Sequence, residues 1–221
     1  IALTRVDESR VDNIQRFEID NDGSTNVVDQ RYPRAGTDNA VVEMFIMDLQ
    51  TGRMGPVEMA ETDDIYLARL NWSRDSSTAY VQVLNRLQNE IDIRAIDVAS
   101  GSSSTWLHET SPSWINITND FRALADGSVL WTSEDGPGGY RHIQHRAADG
   151  SLINQVTSGE WVVTGISAVD QDNGLVYFSG WMDTPIERHV FVVPLDGSAA
   201  PTQITESGGS WGGRLNGSAT A

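Results

Sequence analysis

The sequence contains no cysteine and no lysine. The missing cysteines exclude disulfide bridges, thiolate nucleophiles and metal sites built on sulfur, and they leave the redox compartment open. All 15 basic residues are arginines, and 31 acidic residues outnumber them, which gives a formal net charge of -16. A surface of that sign repels a phosphate backbone, so we expect no nucleic-acid partner.

Long apolar runs are also missing. No segment approaches the roughly 20 apolar residues that a membrane-spanning helix requires, so we expect no membrane span. The chain begins at Ile1 and carries no basic-then-apolar leader, which predicts a processed product or a piece of a longer protein. With 221 residues, of which 39% are hydrophobic, the composition is that of a packed globular protein.

A repeat of about 48 residues organises the chain. Each unit carries a glycine that follows an aspartate at the end of an apolar run, with spacings of 49, 49 and 47 residues: Gly52, Gly101, Gly150 and Gly197. An aromatic residue opens the following unit, with spacings of 48, 47 and 50 residues: Tyr66, Trp114, Trp161 and Trp211. Between these markers, alternating apolar and polar residues predict strands at 78–84, 91–98, 128–133, 175–179 and 190–195.

Units of this length, with three or four strands and an aromatic marker, are typical of propeller blades. We therefore predict an all-β fold: a β-propeller segment of about four four-stranded antiparallel blades, at approximately 1–65, 66–113, 114–160 and 161–210, with a stub at 211–221. The 221 residues correspond to about 4.6 units, whereas propellers close with about four to eight whole blades. The segment is therefore predicted to come from a larger ring. A β-sandwich with coincidental spacing is the structural alternative.

Five motifs, taken in order, resemble the amino-terminal propeller of the dipeptidyl peptidase IV family: QRYPRAG at 30–36, DIYLARLNW at 64–72, VLNRLQNEID at 83–92, WTSE at 131–134 with GYRHI at 139–143, and GEWVVTG at 159–165. The likeness begins with IALTRVDES at 1–9 and continues to about residue 205. It implies an eight-bladed propeller that caps an α/β-hydrolase domain. It also implies a serine exopeptidase that removes dipeptides from peptide amino termini, with a preference for Pro or Ala in the second position.

Parts of that family's machinery have no counterpart in this sequence. The nucleophile motif Gly-Trp-Ser-Tyr-Gly-Gly is absent, as are the Asp and His that follow it in the family. The paired glutamates that hold the substrate's ammonium group lie, in the family, just upstream of the segment that residues 1–9 resemble. The resemblance therefore implies a propeller portion without a catalytic residue of its own. Its expected partners are the remaining blades, the hydrolase domain and, through the parent enzyme, peptide substrates.

The resemblance also implies a place for this segment in the substrate pocket. Asn119, Asp120 and Arg122 lie close to where the family's propeller reaches toward that pocket, so they are predicted to form part of its rim, although the loop here is shorter and differently composed. The implied role is to admit short or unfolded peptides and to exclude folded ones. The implied location is the periplasm of a bacterium or the space outside it, and no cofactor is expected.

Several patterns imitate functional sites. Gly208, Ser210 and Gly212 match G-x-S-x-G, but only 9 residues follow and the last histidine is His189, so a nucleophile elbow is not predicted. The repeat-linked aromatic residues are predicted to pack between blades. Four other tryptophans are less tied to the repeat and leave a sugar-binding surface open as a hypothesis: Trp72, Trp106, Trp131 and Trp181.

Two further patterns resemble metal sites. Carboxylates within 18–29 fall on the positions of a calcium loop, but the flanking residues alternate as strands do, so a hairpin with its tip at 20–23 is predicted and no metal is expected. His142 and His145 are three residues apart on a predicted strand and therefore point to opposite faces, which favours blade packing. Glu134 and Arg141 are predicted to pair across their loop as an ordinary surface ion pair.

One function from another class stays open beside the peptidase. A stand-alone four-bladed propeller would serve as a scaffold for a protein partner, and a carbohydrate- or calcium-binding module is a weaker third hypothesis. Whether the segment belongs to a peptidase or is a stand-alone scaffold, the strand edges and blade faces at the ends of an open array are expected to pair with another surface. Self-association is therefore predicted.

Overall fold

The computed structural model describes residues 1–59, 63–213 and 215, and the regular structure in this part of the chain is almost entirely β. The strands form four sheets and one separate hairpin, and the pairing within each of them is antiparallel. One 3-10 turn, at Pro137–Gly139, accompanies them. The prediction of an all-β propeller segment is confirmed.

The first sheet carries an inserted hairpin. The chain begins with β1 (Ala2–Asp7), β2 (Asn13–Ile19), β3 (Thr25–Arg31), β4 (Val41–Met47) and β5 (Met54–Pro56). Strands β1, β4 and β5 form a three-stranded sheet, blade 1, whereas β2 and β3 pair with each other. The tip of this hairpin lies where it was predicted, because Gly23 has a φ of +84° and Asn26 donates to the carboxylate of Asp20 at 2.7 Å. The alternation of apolar and polar residues did not show that this hairpin is separate from the sheet of blade 1.

Each of the other three sheets has four strands in chain order. Blade 2 consists of β6 (Ile65–Trp72), β7 (Thr78–Asn85), β8 (Glu90–Asp97) and β9 (Ser103–Thr110). Blade 3 consists of β10 (Phe121–Ala123), β11 (Val129–Ser133), β12 (His142–Arg146) and β13 (Leu152–Gln155). Blade 4 consists of β14 (Val162–Asp170), β15 (Leu175–Trp181), β16 (His189–Pro194) and β17 (Thr202–Gln203). The strands predicted from alternation correspond to β7, β8, β11, β15 and β16.

Tight turns connect these strands. Gly127 and Gly174 have φ values of +86° and +64°, in the left-handed region that favours glycine. At the end of β7, the side-chain oxygen of Asn85 accepts the backbone N–H groups of Asn89 at 3.1 Å and Glu90 at 3.2 Å. These bonds hold the tight turn between β7 and β8.

The apolar core lies between the blades and is divided into three clusters. Blades 1 and 2 bury Met44, Ile46, Val57, Ala79, Val81 and Ile96 against one another. Tyr80, Trp106, Phe121 and Trp131 are the aromatic members of the cluster between blades 2 and 3. Phe178 and Phe191 stack at 5.4 Å between ring centroids in the cluster between blades 3 and 4. Burial of such a side chain contributes roughly 1.5–3 kcal/mol, so these clusters stabilise each blade against its neighbours.

One repeat-linked aromatic residue does not pack between blades as predicted, and two of the four tryptophans behind the sugar-binding hypothesis are buried. The repeat-linked Trp114 is about half exposed, because it stands in the connection seven residues before β10 and not on a strand. Trp106 and Trp131, two of the four tryptophans considered for a sugar-binding surface, are buried at 6% and 2% exposure between blades 2 and 3. Their rings are therefore not available for a sugar. Trp161 does pack against the core between blades 3 and 4, as predicted.

Candidate functional site at the blade junctions

The three predicted rim residues lie where blade 3 begins, and they link it to both neighbouring blades. Arg69 on β6 of blade 2 donates through Nε to the side-chain oxygen of Asn119 at 2.5 Å. On the other side, the backbone N–H of Ile166 on β14 donates to Oδ1 of Asp120 at 3.0 Å. The guanidinium of Arg122 donates to the carbonyl of Ile166, also at 3.0 Å. The first strands of blades 2, 3 and 4 are thus joined side by side by polar groups.

The charges at this junction differ in exposure. The side chain of Asp120 is 9% exposed and that of Arg122 is 38% exposed, and their closest atoms are 3.5 Å apart. Arg122 also donates to the carbonyl oxygens of Asn119 at 3.0 Å and Phe121 at 3.3 Å. Asp120 therefore acts as an internal acceptor between blades, whereas Asn119 and part of Arg122 remain open to solvent.

A separate cavity of about 500 Å³ lies between the connection that follows β9 and the loop that joins β11 to β12. Trp114, Trp131, Glu109, Glu134 and Arg141 are among its lining residues. Arg141 donates to one carboxylate oxygen of Glu134 at 2.9 Å, which confirms the predicted pair. Asn116 donates to the other oxygen at 2.8 Å. Because the Arg141 side chain is only 18% exposed, this pair is better shielded than an ordinary surface ion pair.

Glu109 in the cavity wall was not identified from the sequence. It is buried, it accepts the indole N–H of Trp131 at 3.0 Å, and burial raises the pKa of its carboxyl. A β-bulge explains why alternation missed it, since Ile93 pairs with Leu107 and Arg94 with Thr105, which leaves Trp106 as an extra residue. Because of this extra residue, the set of alternate residues that faces inward changes along β9. A periodicity that assumes a regular strand cannot detect this shift.

The two histidines of β12 support packing and do not form a metal pair. His142 is buried, with Nε2 2.8 Å from the carbonyl oxygen of Gly159 and its ring edge-on to Trp161. Burial lowers the pKa of His142, so it is neutral at pH 7 and donates through Nε2. His145 bonds instead to Ser128, with Nε2 2.8 Å from the hydroxyl oxygen. The predicted role of these histidines in blade packing is confirmed.

The residues that imitate a nucleophile elbow do not adopt one. Ser210 forms a single bridge to Arg188, and the backbone N–H of Trp211 donates to the carbonyl of the same arginine at 2.7 Å. Residues 211–213 continue without helical structure, although a nucleophile elbow needs a helix at this point. Residues 214 and 216–221 of the predicted stub lie outside the described part of the chain.

Comparison with known proteins assigns the family. The family model described as dipeptidyl peptidase IV (DPP IV) N-terminal region matches residues 1–220. The chain belongs to this family. Within the described residues, no helix is long and apolar enough to cross a membrane.

Relatives in the dipeptidyl peptidase IV family are much longer than this chain. A probable dipeptidyl-aminopeptidase B of Fusarium vanettenii is 30% identical over 183 residues, which cover 76% of this chain and 20% of that protein. A probable dipeptidyl peptidase 4 of Emericella nidulans is 26% identical over 179 residues, or 75% of this chain and 23% of that protein. The chain therefore spans about a fifth of the length of the curated relatives that it matches.

A solved structure supports the same fold. The crystal structure of Porphyromonas gingivalis dipeptidyl peptidase 4 superposes with a TM-score of 0.79 at 24% identity. The match covers 91% of this chain and 28% of that protein. The four blades are thus a partial propeller of the dipeptidyl peptidase IV type.

Proposed function

We propose that this chain is the non-catalytic propeller portion of a dipeptidyl peptidase IV-like serine peptidase, which releases Xaa-Pro and Xaa-Ala dipeptides from peptide amino termini. In that enzyme it gates the access of substrates and shapes the pocket for their amino ends. The remaining blades and a hydrolase domain are its partners, and the periplasm or the extracellular space is its location. The family membership supports this proposal.

The polar junction at the start of blade 3 is the structural observation that carries the gating role. Asn119 and the partly exposed Arg122 stand where three blades meet. Asn119 accepts a hydrogen bond from Arg69 of blade 2, and Arg122 donates one to the carbonyl of Ile166 in blade 4. Anchored groups of this kind position a substrate without an entropic cost at the moment of binding. The proposed contribution to catalysis is therefore orientation and selection of the substrate, and bond chemistry belongs to the hydrolase domain.

The test uses the full-length protein that contains this sequence. We expect Arg122→Ala to change the ratio of kcat/KM between a chromogenic dipeptide substrate and peptides of about 10 to 30 residues by roughly 2- to 10-fold, the effect of one lost hydrogen bond. Arg53→Ala is the control, because Arg53 is exposed on blade 1. An unchanged ratio in Arg122→Ala would contradict the gating role.

A further inference from the structure

The arginine of blade 2 that contacts the start of blade 3 differs from the rest of its strand. Arg69 is the one exposed residue of β6, whereas the other seven are buried or half-buried. A β-bulge precedes it, since the pairing with β7 leaves Ala68 as an extra residue. Nη1 of Arg69 donates to the carbonyl of that extra residue at 2.7 Å. Bulges of this kind redirect a side chain and are over-represented beside active sites.

Arg69 has a neutral partner in a chain that is rich in carboxylates. The sequence contains 31 acidic residues against 15 arginines, and six other arginines of the described chain pair with a carboxylate. Among the described residues Arg69 forms no such pair, and its Nε donates instead to the side-chain oxygen of Asn119 at 2.5 Å. Its charge is therefore available for an anionic ligand, and a guanidinium binds carboxylates well.

Asn119 and Arg122 place further hydrogen-bond donors beside Arg69. Because the side-chain oxygen of Asn119 accepts from Arg69, the exposed side chain has its amide N–H groups left to donate. Within the described residues, that amide group meets no acceptor. Arg122 donates to the backbone carbonyl of Asn119 at 3.0 Å, and its side chain is 38% exposed. Arg69, Asn119 and Arg122 thus form a donor cluster that is open to solvent.

The donor cluster is locally positive although the chain as a whole is strongly negative. Its two guanidinium groups are accompanied by the carboxylate of Asp120, which is only 9% exposed and accepts the backbone N–H of Ile166. The formal net charge of the whole chain is -16. An anionic group is repelled by most of such a surface and attracted to the donor cluster, which makes the cluster selective for the place where that group binds.

The cluster lies where the first strands of blades 2, 3 and 4 converge. Hydrogen bonds join these strands directly, and the blades of a propeller converge on its central channel. On the blade 4 side, β14 also bulges, because its pairing with β15 leaves the exposed Thr164 as an extra residue. The first strands on both sides of the cluster therefore depart from regular pairing next to it.

We propose that the donor cluster binds a carboxylate of the peptide substrate, beyond the dipeptide that is released. The amino-terminal end of the substrate carries an ammonium group, which two guanidinium groups repel, so the carboxylate belongs to the part that follows. An Asp or Glu side chain or the carboxyl terminus of a short peptide supplies it. Arg69 provides the opposite charge, and Asn119 and Arg122 add donors. The inference rests on the proposed function, because it requires a peptide substrate.

Matched peptides given to the full-length protein that contains this sequence test the proposal. All begin with the same Xaa-Pro dipeptide, and the reference peptide has an amidated carboxyl terminus and no acidic side chain. One series replaces Gln by Glu at successive positions after the dipeptide, and another peptide has a free carboxyl terminus. We expect kcat/KM to rise by roughly 2- to 10-fold in at least one of them, as for an exposed ion pair with charge-assisted hydrogen bonds. The peptide that responds identifies the source of the carboxylate, and added salt should reduce the preference.

Two variants test whether the donor cluster causes this preference. Arg69→Gln removes the charge and should abolish the preference for a carboxylate. Asn119→Asp keeps an oxygen for Arg69 but replaces the amide donor by a carboxylate, so it should reverse the preference. Arg53→Gln is the matched control, because Arg53 is exposed on blade 1 and its replacement changes the net charge by the same amount. The control should retain the preference of the wild type, and circular dichroism verifies that all three variants fold.

The outcomes separate this inference from the proposed function. Release of dipeptides without any preference for a carboxylate would overturn the inference alone, as would a preference that survives in both Arg69→Gln and Asn119→Asp. An equal loss of preference in Arg53→Gln would overturn it as well, because net charge would then explain the effect. No release of dipeptide from any peptide would contradict the proposed function and, with it, this inference.

Discussion

Replacement of Asp120 by alanine tests whether the junction at the start of blade 3 holds the blades together. The carboxylate of Asp120 accepts the backbone N–H of Ile166 at 3.0 Å, and Ile166 is only 4% exposed. Truncation leaves that N–H buried without its partner, which costs about 1–3 kcal/mol. The contact with Arg122 adds less than about 1 kcal/mol, because it is 3.5 Å long and the arginine is partly exposed. We therefore expect Asp120→Ala to lower the free energy of unfolding by about 1–4 kcal/mol.

Urea unfolding, monitored by tryptophan fluorescence, measures this loss as a lower midpoint at unchanged slope. Asp120→Asn keeps an oxygen that can accept the Ile166 N–H, so it should cost less than about 1 kcal/mol. Asp172→Ala removes an exposed carboxylate from the turn between β14 and β15, and it should stay within about 0.5 kcal/mol of the wild type. A loss below about 0.5 kcal/mol in Asp120→Ala would refute the assigned role.

Two further predictions concern other positions. Because burial raises the pKa of Glu109, its contribution to stability is fully present below its unfolded pKa of about 4.3 and is lost as the pH rises through the folded value. Glu109→Gln should therefore gain free energy of unfolding relative to the wild type between pH 4 and 7, and a pH-independent difference in urea melts would contradict this. Gly150→Ala places a Cβ against the carbonyl of Trp106 at φ +88°, so it should cost more than Gly174→Ala, which has positive φ and open space. Thermal unfolding compares the pair, and equal losses would contradict the close approach.

Local chemistry made much of the fold predictable. β7 was predictable because its side chains alternate between two neighbouring blades: Ala79 and Val81 pack in the cluster with blade 1, and Tyr80 and Leu84 pack in the cluster with blade 3. The aspartate-glycine turns were visible because positive φ selects glycine, and Gly101 and Gly197 do adopt φ values of +79° and +68°. Both signals depend only on residues that are adjacent in the chain, so they can be recognised from the sequence alone.

Features that depend on distant residues could not be predicted in the same way. Glu109 faces inward because a bulge at Trp106 shifts the strand, and this shift depends on pairing with β8. The burial of Trp131 depends on packing between two blades, while Trp114 carries the same side chain in an exposed connection. For the candidate site, the family resemblance located Asn119, Asp120 and Arg122 in the sequence. It did not show their bonds to Arg69 and Ile166, which only the assembled blades create. Their place at the substrate pocket stays a prediction.

We propose that this propeller segment serves a dipeptide-releasing peptidase, and the products of the full-length protein test this proposal. The most direct measurement incubates the full-length protein that contains this sequence with a peptide that has proline in the second position, and mass spectrometry identifies the products. We expect release of the amino-terminal Xaa-Pro dipeptide and an otherwise intact remainder. Cleavage at internal bonds, or no cleavage by a folded full-length protein, would contradict it.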